Sequence, residues 1–173
     1  MNDELILVDV FDRPLGTASK AECHRRGLLH RAFSVFLYRD GKMAIQQRAM
    51  DKYHSGGLWS NSCCSHPRPG ESLPQAVQRR LGEELGVSCP FRELFSFVYH
   101  HQFQENLFEY EFDHVFVGAY HGELALNPQE AMDLKWVPFG ELAEDLRTNP
   151  QRYSVWFLSA APKVLAHLTQ RET

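Results

Sequence analysis

Hydrophobic and polar positions alternate along much of this 173-residue chain, or form short apolar runs between turn residues. Both patterns are typical of β-strands. Turns are expected at Asp40-Gly41 and at 104–106, with a further turn at 12–16 and a loop at 51–57. The strands are expected at 5–10, 32–38, 43–48, 94–103, 107–120 and 134–137.

One helix is marked by its ends as well as by its period. Ser72 and Gln75 fit a capping box, Pro74 falls in the first turn, and Gly86 is placed to end the helix. Between these ends the apolar stripe consists of Val77, Leu81 and Leu85.

Helical segments are also expected at 139–146 and at 155–168, the second broken or begun at Pro162. The polar segment 20–29 contains Gly27, which interrupts any long helix. Strands dominate the middle of the chain, so the pattern predicts an α+β layer fold. Neither a linker nor a repeat divides the sequence, and a single domain over residues 1–173 is expected.

Composition excludes some classes of partner. The net charge of −4 and pI near 6.1 argue against a general affinity for nucleic acid or anionic membranes. No apolar run reaches the roughly 18 residues of a membrane span, and the N-terminus lacks the basic start of a signal peptide. A cytoplasmic protein with reduced thiols is therefore expected, and any phosphate binding requires a local basic cluster.

Histidines and carboxylates form a candidate metal set. Glu109 and Glu111 are two residues apart on a predicted strand, so both side chains lie on one face. Added imidazoles would suit a borderline ion such as Mn²⁺ or Zn²⁺ better than Mg²⁺. The alternative is a solvated strand face, because no ligand motif is present. The full set is His24, His30, His66, Glu109 and Glu111.

Two further groups of residues are candidates for chemistry. Cys64, near His66, could act as an acid, a base or a nucleophile together with Glu111. The alternative is that Cys63 and Cys64 are two small buried residues. A basic set could clamp a diphosphate if the fold brings its members together, or else serve only solubility. Its members are Lys20, Arg48, Lys52 and Arg80.

Three motifs together resemble a known family. The segment GLWSNSCCSHPRPGE (57–71) resembles the WTNxCCSHP signature of type 1 isopentenyl-diphosphate isomerases, and FEYE at 108–111 is similar to their E-x-E. Residues 71–87 are similar to the Nudix box, and the resemblance runs from about residue 5 to Trp156. Ser65 and Arg80 stand where the hydrolase box has Gly and Glu. The change at Arg80 favours holding a diphosphate over cleaving it.

The resemblance implies a Nudix-like α/β/α sandwich with a mixed central sheet and an added N-terminal strand. It also implies interconversion of isopentenyl and dimethylallyl diphosphate through a tertiary carbocation, in isoprenoid biosynthesis. By this resemblance Cys64 would be the catalytic thiol, Glu111 the opposing carboxylate and Tyr99 the active-site tyrosine.

The same resemblance implies the cofactors and the substrate contacts. The five His and Glu residues of the candidate set would hold Mn²⁺, or Zn²⁺ or Mg²⁺ in its place. Glu84 would hold a Mg²⁺ bound to the substrate, and Trp156 would cover the carbocation. The family suggests a monomer acting on a small prenyl diphosphate. The residues implied to contact the diphosphate are Lys20, Arg48, Lys52 and Arg80.

Two other functions are compatible with the same residues. One is a Nudix pyrophosphohydrolase acting on a nucleotide or prenyl diphosphate, against which Ser65 and Arg80 speak. The other is a non-catalytic module that binds metal for stability alone.

Overall fold

A mixed β-sheet is the framework of the computed structural model, which describes residues 3–171. Within that range the sheet has nine strands. These are β1 (Glu4–Val8), β2 (Pro14–Ser19), β3 (His30–Arg39), β4 (Lys42–Arg48), β5 (Trp59–Ser60), β6 (Cys63–Ser65), β7 (Arg92–Gln104), β8 (Leu107–Ala119) and β9 (Ala131–Pro138). The helices are α1 (Lys20–Arg26), α2 (Leu73–Leu85), α3 (Phe139–Thr148) and α4 (Val155–Thr169), with a 3₁₀ turn at Pro150–Arg152.

Strand β3 is the centre of the topology. One edge of β3 pairs in parallel with β8, with His30 opposite Glu111. Its other edge is shared by β1, by β6 and by β4, all antiparallel. In the β6 segment Ser34 lies opposite Cys64. The central strand therefore brings residues from distant parts of the sequence to one region.

Helices cover both faces of the sheet. On one face α2 packs through Leu81 and Leu85 against Phe33, Val35 and Leu37 of β3. On the other face α3 and α4 pack against a second cluster that includes Phe36, Met43 and Ile45. Because β3 is buried on both faces, its sequence is nearly continuous in apolar residues. The predicted three-layer α+β sandwich with a mixed sheet is confirmed.

Helix α2 has the ends that its sequence predicts. The Ser72 hydroxyl accepts a hydrogen bond from the Gln75 amide at 3.3 Å, and the Gln75 side chain accepts one from the Ser72 amide at 2.9 Å. Gly86 ends the helix with φ of 64°, a left-handed conformation that favours glycine.

The expectations for residues 12–29 are partly wrong. Residues 14–16 belong to strand β2, which pairs with β1, and are not a closing turn. Strand β2 is almost entirely exposed, so no hydrophobic alternation marks it. The polar segment that follows forms the helix α1, with Ser19 as its N-cap and Gly27 at its end. A seven-residue helix is too short for a clear hydrophobic period.

The predicted break at Pro162 is also wrong, because α4 runs through it. Proline removes one backbone hydrogen bond of a helix. Packing on both sides of Pro162 compensates, since α4 buries residues in every turn from Trp156 to Leu168. Within residues 3–171, no helix combines the length and apolar character needed to cross a membrane.

Candidate active site

A cavity of about 180 Å³ lies where α1, α2, β6, β8 and the loop 51–57 meet. Twelve of the thirteen residues predicted for the site line this cavity. The thirteenth, His30, is fully buried behind them, with its ring 5.0 Å from the ring of His66. The fold therefore brings the predicted residues together.

Four side chains form a cluster with the geometry of a metal site. One ligand atom from each of His30, His66, Glu109 and Glu111 lies within 4.8 Å of every other. His66 Nε2 is 3.2 Å from Glu111 Oε1, and His30 Nε2 is 3.7 Å from the same oxygen. His24 joins the cluster from α1, since its Nε2 is 2.9 Å from Glu109 Oε1.

Buried polar atoms without partners indicate that these residues fit a cation. His24 Nε2, His30 Nε2 and Glu109 Oε2 are buried without a hydrogen-bond partner, which is costly unless a ligand satisfies them. His30 Nδ1 donates to the Leu28 carbonyl at 2.8 Å. That bond leaves Nε2 as a lone-pair donor facing the cluster, as in metal-binding histidines. Imidazole and carboxylate together suit Mn²⁺ or Zn²⁺.

The charges of the cluster depend on burial. Burial raises the pKa of Glu111 well above its usual value, and the neighbouring Glu109 adds to the shift. For Glu109 burial acts in the same direction, but contacts with Glu111, His24 and His54 outweigh it and hold its pKa well below the usual value. Burial also lowers the pKa of His30 and of His66. Neutral imidazoles are the form that binds metal.

The two adjacent cysteines face different surroundings. Cys63 is fully buried and packs with α2, whereas Cys64 lines the cavity. Burial raises the pKa of Cys64 to about 12, with Arg48 acting in the opposite direction. Cys64 is therefore a thiol at neutral pH. Tyr99 lies opposite Glu111 in the β7–β8 ladder, and burial raises the pKa of its hydroxyl well above the usual value.

The four predicted basic residues all line the cavity, and acidic partners hold two of them. Lys52 Nζ is 2.6 Å from Glu130 Oε2. The Arg80 guanidinium contacts Glu84, and also reaches Glu83 at 2.8 Å and Glu130 at 3.4 Å. These ion pairs hold the two basic side chains at the wall of the cavity.

An asparagine fixes the aromatic wall of the cavity. Trp156 Nε1 donates to Asn61 Oδ1 at 3.1 Å, and Asn61 Nδ2 donates to the carbonyls of Val35 and Cys63 at 3.2 and 2.6 Å. Asn61 thus joins Trp156 to the strand that carries Cys64. The Arg48 guanidinium lies 5.0 Å from the centre of the Trp156 ring.

Asn61, His54 and Glu130 belong to the site, although their sequence positions did not predict it. Asn61 lies inside the WSN part of the first motif, and that position was its only signal. His54 and Glu130 stand in loops without a period or motif, and only the fold brings them to the cavity.

Comparison with known proteins identifies the fold. Residues 28–157 match the NUDIX domain. A Deinococcus radiodurans protein superposes with a TM-score of 0.75 at 20% identity, over 92% of this chain and 98% of that one. A MutT NUDIX hydrolase from Burkholderia pseudomallei superposes with a TM-score of 0.63 at 22% identity, over 79% and 98%. The fold and the site thus define a NUDIX-domain protein.

Relatives with higher sequence identity show which family of NUDIX-domain proteins the chain belongs to. The chain is 50% identical over 167 residues to isopentenyl-diphosphate Delta-isomerase 2 of Aromatoleum aromaticum, covering 96% of this chain and 88% of the relative. It is 44% identical over 172 residues to the isopentenyl-diphosphate Delta-isomerase of Serratia proteamaculans, covering 99% and 96%. The chain belongs to the isopentenyl-diphosphate Delta-isomerase family, as its motifs predict.

Proposed function

We propose that this protein interconverts isopentenyl diphosphate and dimethylallyl diphosphate for isoprenoid biosynthesis. One observation carries the proposal in a chain of this family. A protonated thiol, Cys64, lines the same cavity as the carboxylate Glu111 of the candidate metal centre. Two proton-transfer groups around one cavity are what the reaction needs.

The reaction moves a double bond from C3–C4 to C2–C3 of the substrate. A proton added to C4 takes up the π electrons and leaves a tertiary cation at C3. Loss of a proton from C2 then returns an electron pair as the new double bond. One of Cys64 and Glu111 delivers the first proton and the other accepts the second, with the roles reversed in the opposite direction. Tyr99, opposite Glu111 in the ladder, orients or passes a proton.

The metal would be Mn²⁺, or Zn²⁺ or Mg²⁺, held by His24, His30, His66, Glu109 and Glu111. When bound, it supplies positive charge that fixes the Glu111 carboxylate and tunes its basicity. His66, whose Nε2 lies 3.2 Å from Glu111 Oε1, holds this side chain beside the cavity.

The cation needs shelter from water, which would trap it as an alcohol. Trp156 is 5% exposed and lines the cavity, so its ring can stabilise a positive charge without acting as a nucleophile. A cation–π contact of this kind is worth about 2 kcal/mol when desolvated. Asn61 fixes the orientation of the indole.

The diphosphate is bound by Lys20, Arg48, Lys52 and Arg80, together with a Mg²⁺ at Glu84. Their common place around the cavity supports this assignment. Arg80 and Lys52 are held by Glu130, so binding requires them to exchange a carboxylate partner for phosphate oxygens.

We propose a cytoplasmic monomer whose partner is a small prenyl diphosphate and which binds neither nucleic acid nor membrane. The net charge of −4 supports the last point, because polyanions would be repelled.

The direct test incubates the purified protein with isopentenyl diphosphate, Mn²⁺ and Mg²⁺. Dimethylallyl diphosphate should form until equilibrium is reached, and no phosphate should be released. Release of phosphate or pyrophosphate from nucleoside or prenyl diphosphates, without the isomeric product, would overturn the proposal in favour of a hydrolase.

A further inference from the structure

His54 is a largely buried histidine at the candidate metal centre that none of the motifs includes. Its side chain is 7% exposed, and its Nε2 lies 2.9 Å from Glu109 Oε1. Because a carboxylate only accepts hydrogen bonds, His54 Nε2 carries the proton and donates it. The other ring nitrogen, Nδ1, lies 3.2 Å from the Ser55 hydroxyl, which is its donor in this tautomer.

The hydrogen bonding of His54 distinguishes it from the histidines of the ligand set. His24 Nε2 is equally close to Glu109 Oε1, at 2.9 Å, but it forms no hydrogen bond and its other ring nitrogen is also buried without a partner. Both ring nitrogens of His54 have partners. His24 therefore has a lone pair free for a cation, whereas His54 has none.

The ring of His54 is held in place from two sides. It stacks on Phe103, at the end of β7, with ring centres 4.3 Å apart and planes 13° apart. The Trp156 ring meets it edge-on at 5.8 Å. Ser55, which follows His54 in the loop, has a left-handed backbone conformation with φ of 57°. Such strain persists only where the surroundings enforce the conformation.

We propose that His54 is a positioning residue of the metal centre. By donating to Glu109 Oε1 it orients this carboxylate so that Oε2, which is buried and unpartnered, faces the metal. The inference rests on the proposed function only in taking the centre to be a metal site. Because His54 is two residues from Lys52, it also fixes the loop that carries this lysine to the metal centre.

The test is calorimetric titration of chelator-treated protein with Mn²⁺, in the absence of any diphosphate. His54→Phe keeps the ring on Phe103 and removes the donor, so the affinity for Mn²⁺ should fall about 10- to 100-fold. The stoichiometry should stay at one ion per chain, because no ligand is lost. His54→Gln restores a donor and should recover affinity to within about threefold of the wild type. His121 is exposed, lies beside Asp40 and does not line the cavity, so His121→Phe is the control and should bind Mn²⁺ as the wild type does.

Either of two results would overturn the proposal. Unchanged affinity in His54→Phe would show that the hydrogen bond does not position Glu109. Complete loss of binding in both His54→Phe and His54→Gln would show that His54 is itself a ligand.

If circular dichroism shows that His54→Phe does not fold, the variant Phe103→Ala is used in its place, because it keeps every ligand and His54. Its affinity should fall at least about twofold with the loss of the ring contact, and unchanged binding would refute the role. Failure of the isomerase proposal would appear separately, in the conversion assay of the wild type.

Discussion

Arg80 and Glu84 form an ion pair across one turn of α2, and both side chains line the cavity. Glu84 is only 4% exposed, and burial raises its pKa despite the adjacent guanidinium. A hydrolase box has Glu at the position of Arg80, which would place two carboxylates together to bind metal. Here the same turn of helix presents a cation toward the cavity.

Replacing Arg80 by Met should lower the free energy of unfolding by about 3 kcal/mol at pH 7, because it leaves Glu84 buried without its partner. The double variant Arg80→Met/Glu84→Gln should recover most of that loss. Urea unfolding of the wild type, both single variants and the double variant gives the coupling energy. Strictly additive effects would show that the pair does not interact.

Cys64→Ser should reduce isomerisation about 10²- to 10⁴-fold, the range for loss of a proton-transfer group. The hydroxyl is a far weaker acid than the thiol, while the basic residues that line the cavity remain. Initial rates and substrate binding are measured on the same preparation. Cys63→Ala is the matched control, because Cys63 packs against α2 outside the cavity, and it should retain most of its activity. Comparable turnover in Cys64→Ser and wild type would contradict the role.

The Glu71–Arg79 pair should stabilise the fold in a pH-dependent way. Arg79 Nε and Nη2 donate to Glu71 at 2.7 and 2.9 Å, and these bonds lower the pKa of Glu71 below 4.5. A lowered carboxyl pKa contributes stability above the unfolded value, and that contribution is lost as the pH falls through the folded value. Arg79→Met should therefore cost about 1 kcal/mol at pH 7 and progressively less below pH 4.5.

Urea midpoints at pH 7, 5 and 3.5 measure this difference. Arg147→Met is the control, because the Arg147–Glu144 pair is exposed and should contribute nothing measurable. A difference between wild type and Arg79→Met that stays constant down to pH 3.5 would contradict the assignment.

The sequence predicts those parts of the molecule that local chemistry determines. Helix α2 carries its own start and stop signals at Ser72 and Gly86, and they act within one turn of the chain. Strand β2 could not be predicted because it is exposed and shows no alternation, and helix α1 because seven residues are too few for a clear period, although Ser19 and Gly27 mark its ends. At Pro162 a local rule predicted a break, and packing of α4 against the sheet outweighed it.

The residues of the candidate site are likewise of two kinds, those within sequence motifs and those that only the fold brings to the cavity. Residues within motifs, such as Cys64 and Glu111, could be identified from sequence because their chemistry is tied to fixed neighbours. His54 and Glu130 could not, because each acts on a partner 55 or 78 residues away, Glu109 and Lys52 respectively. Nothing in the local sequence encodes such contacts.

Removing the metal should destabilise the protein even without substrate, because buried polar atoms at the centre lose their ligand. Mn²⁺ at 100 times its dissociation constant should stabilise the wild type by about 2.7 kcal/mol. Scanning calorimetry with and without chelator measures the shift. Glu109→Gln should show little of it, and an equal shift in that variant would place the ion elsewhere.

Proton transfer to carbon, in the cavity shared by Cys64 and Glu111, is the step on which the proposed function depends. Its most direct test is incubation of the protein with isopentenyl diphosphate in heavy water, with and without chelator, followed by mass spectrometry of the recovered C5 diphosphates. Deuterium is expected in both isomers with the metal-loaded wild type, none with chelator, and at least about 100-fold slower incorporation with Cys64→Ser. Absence of deuterium with the metal-loaded wild type, or undiminished incorporation by Cys64→Ser, would contradict this step.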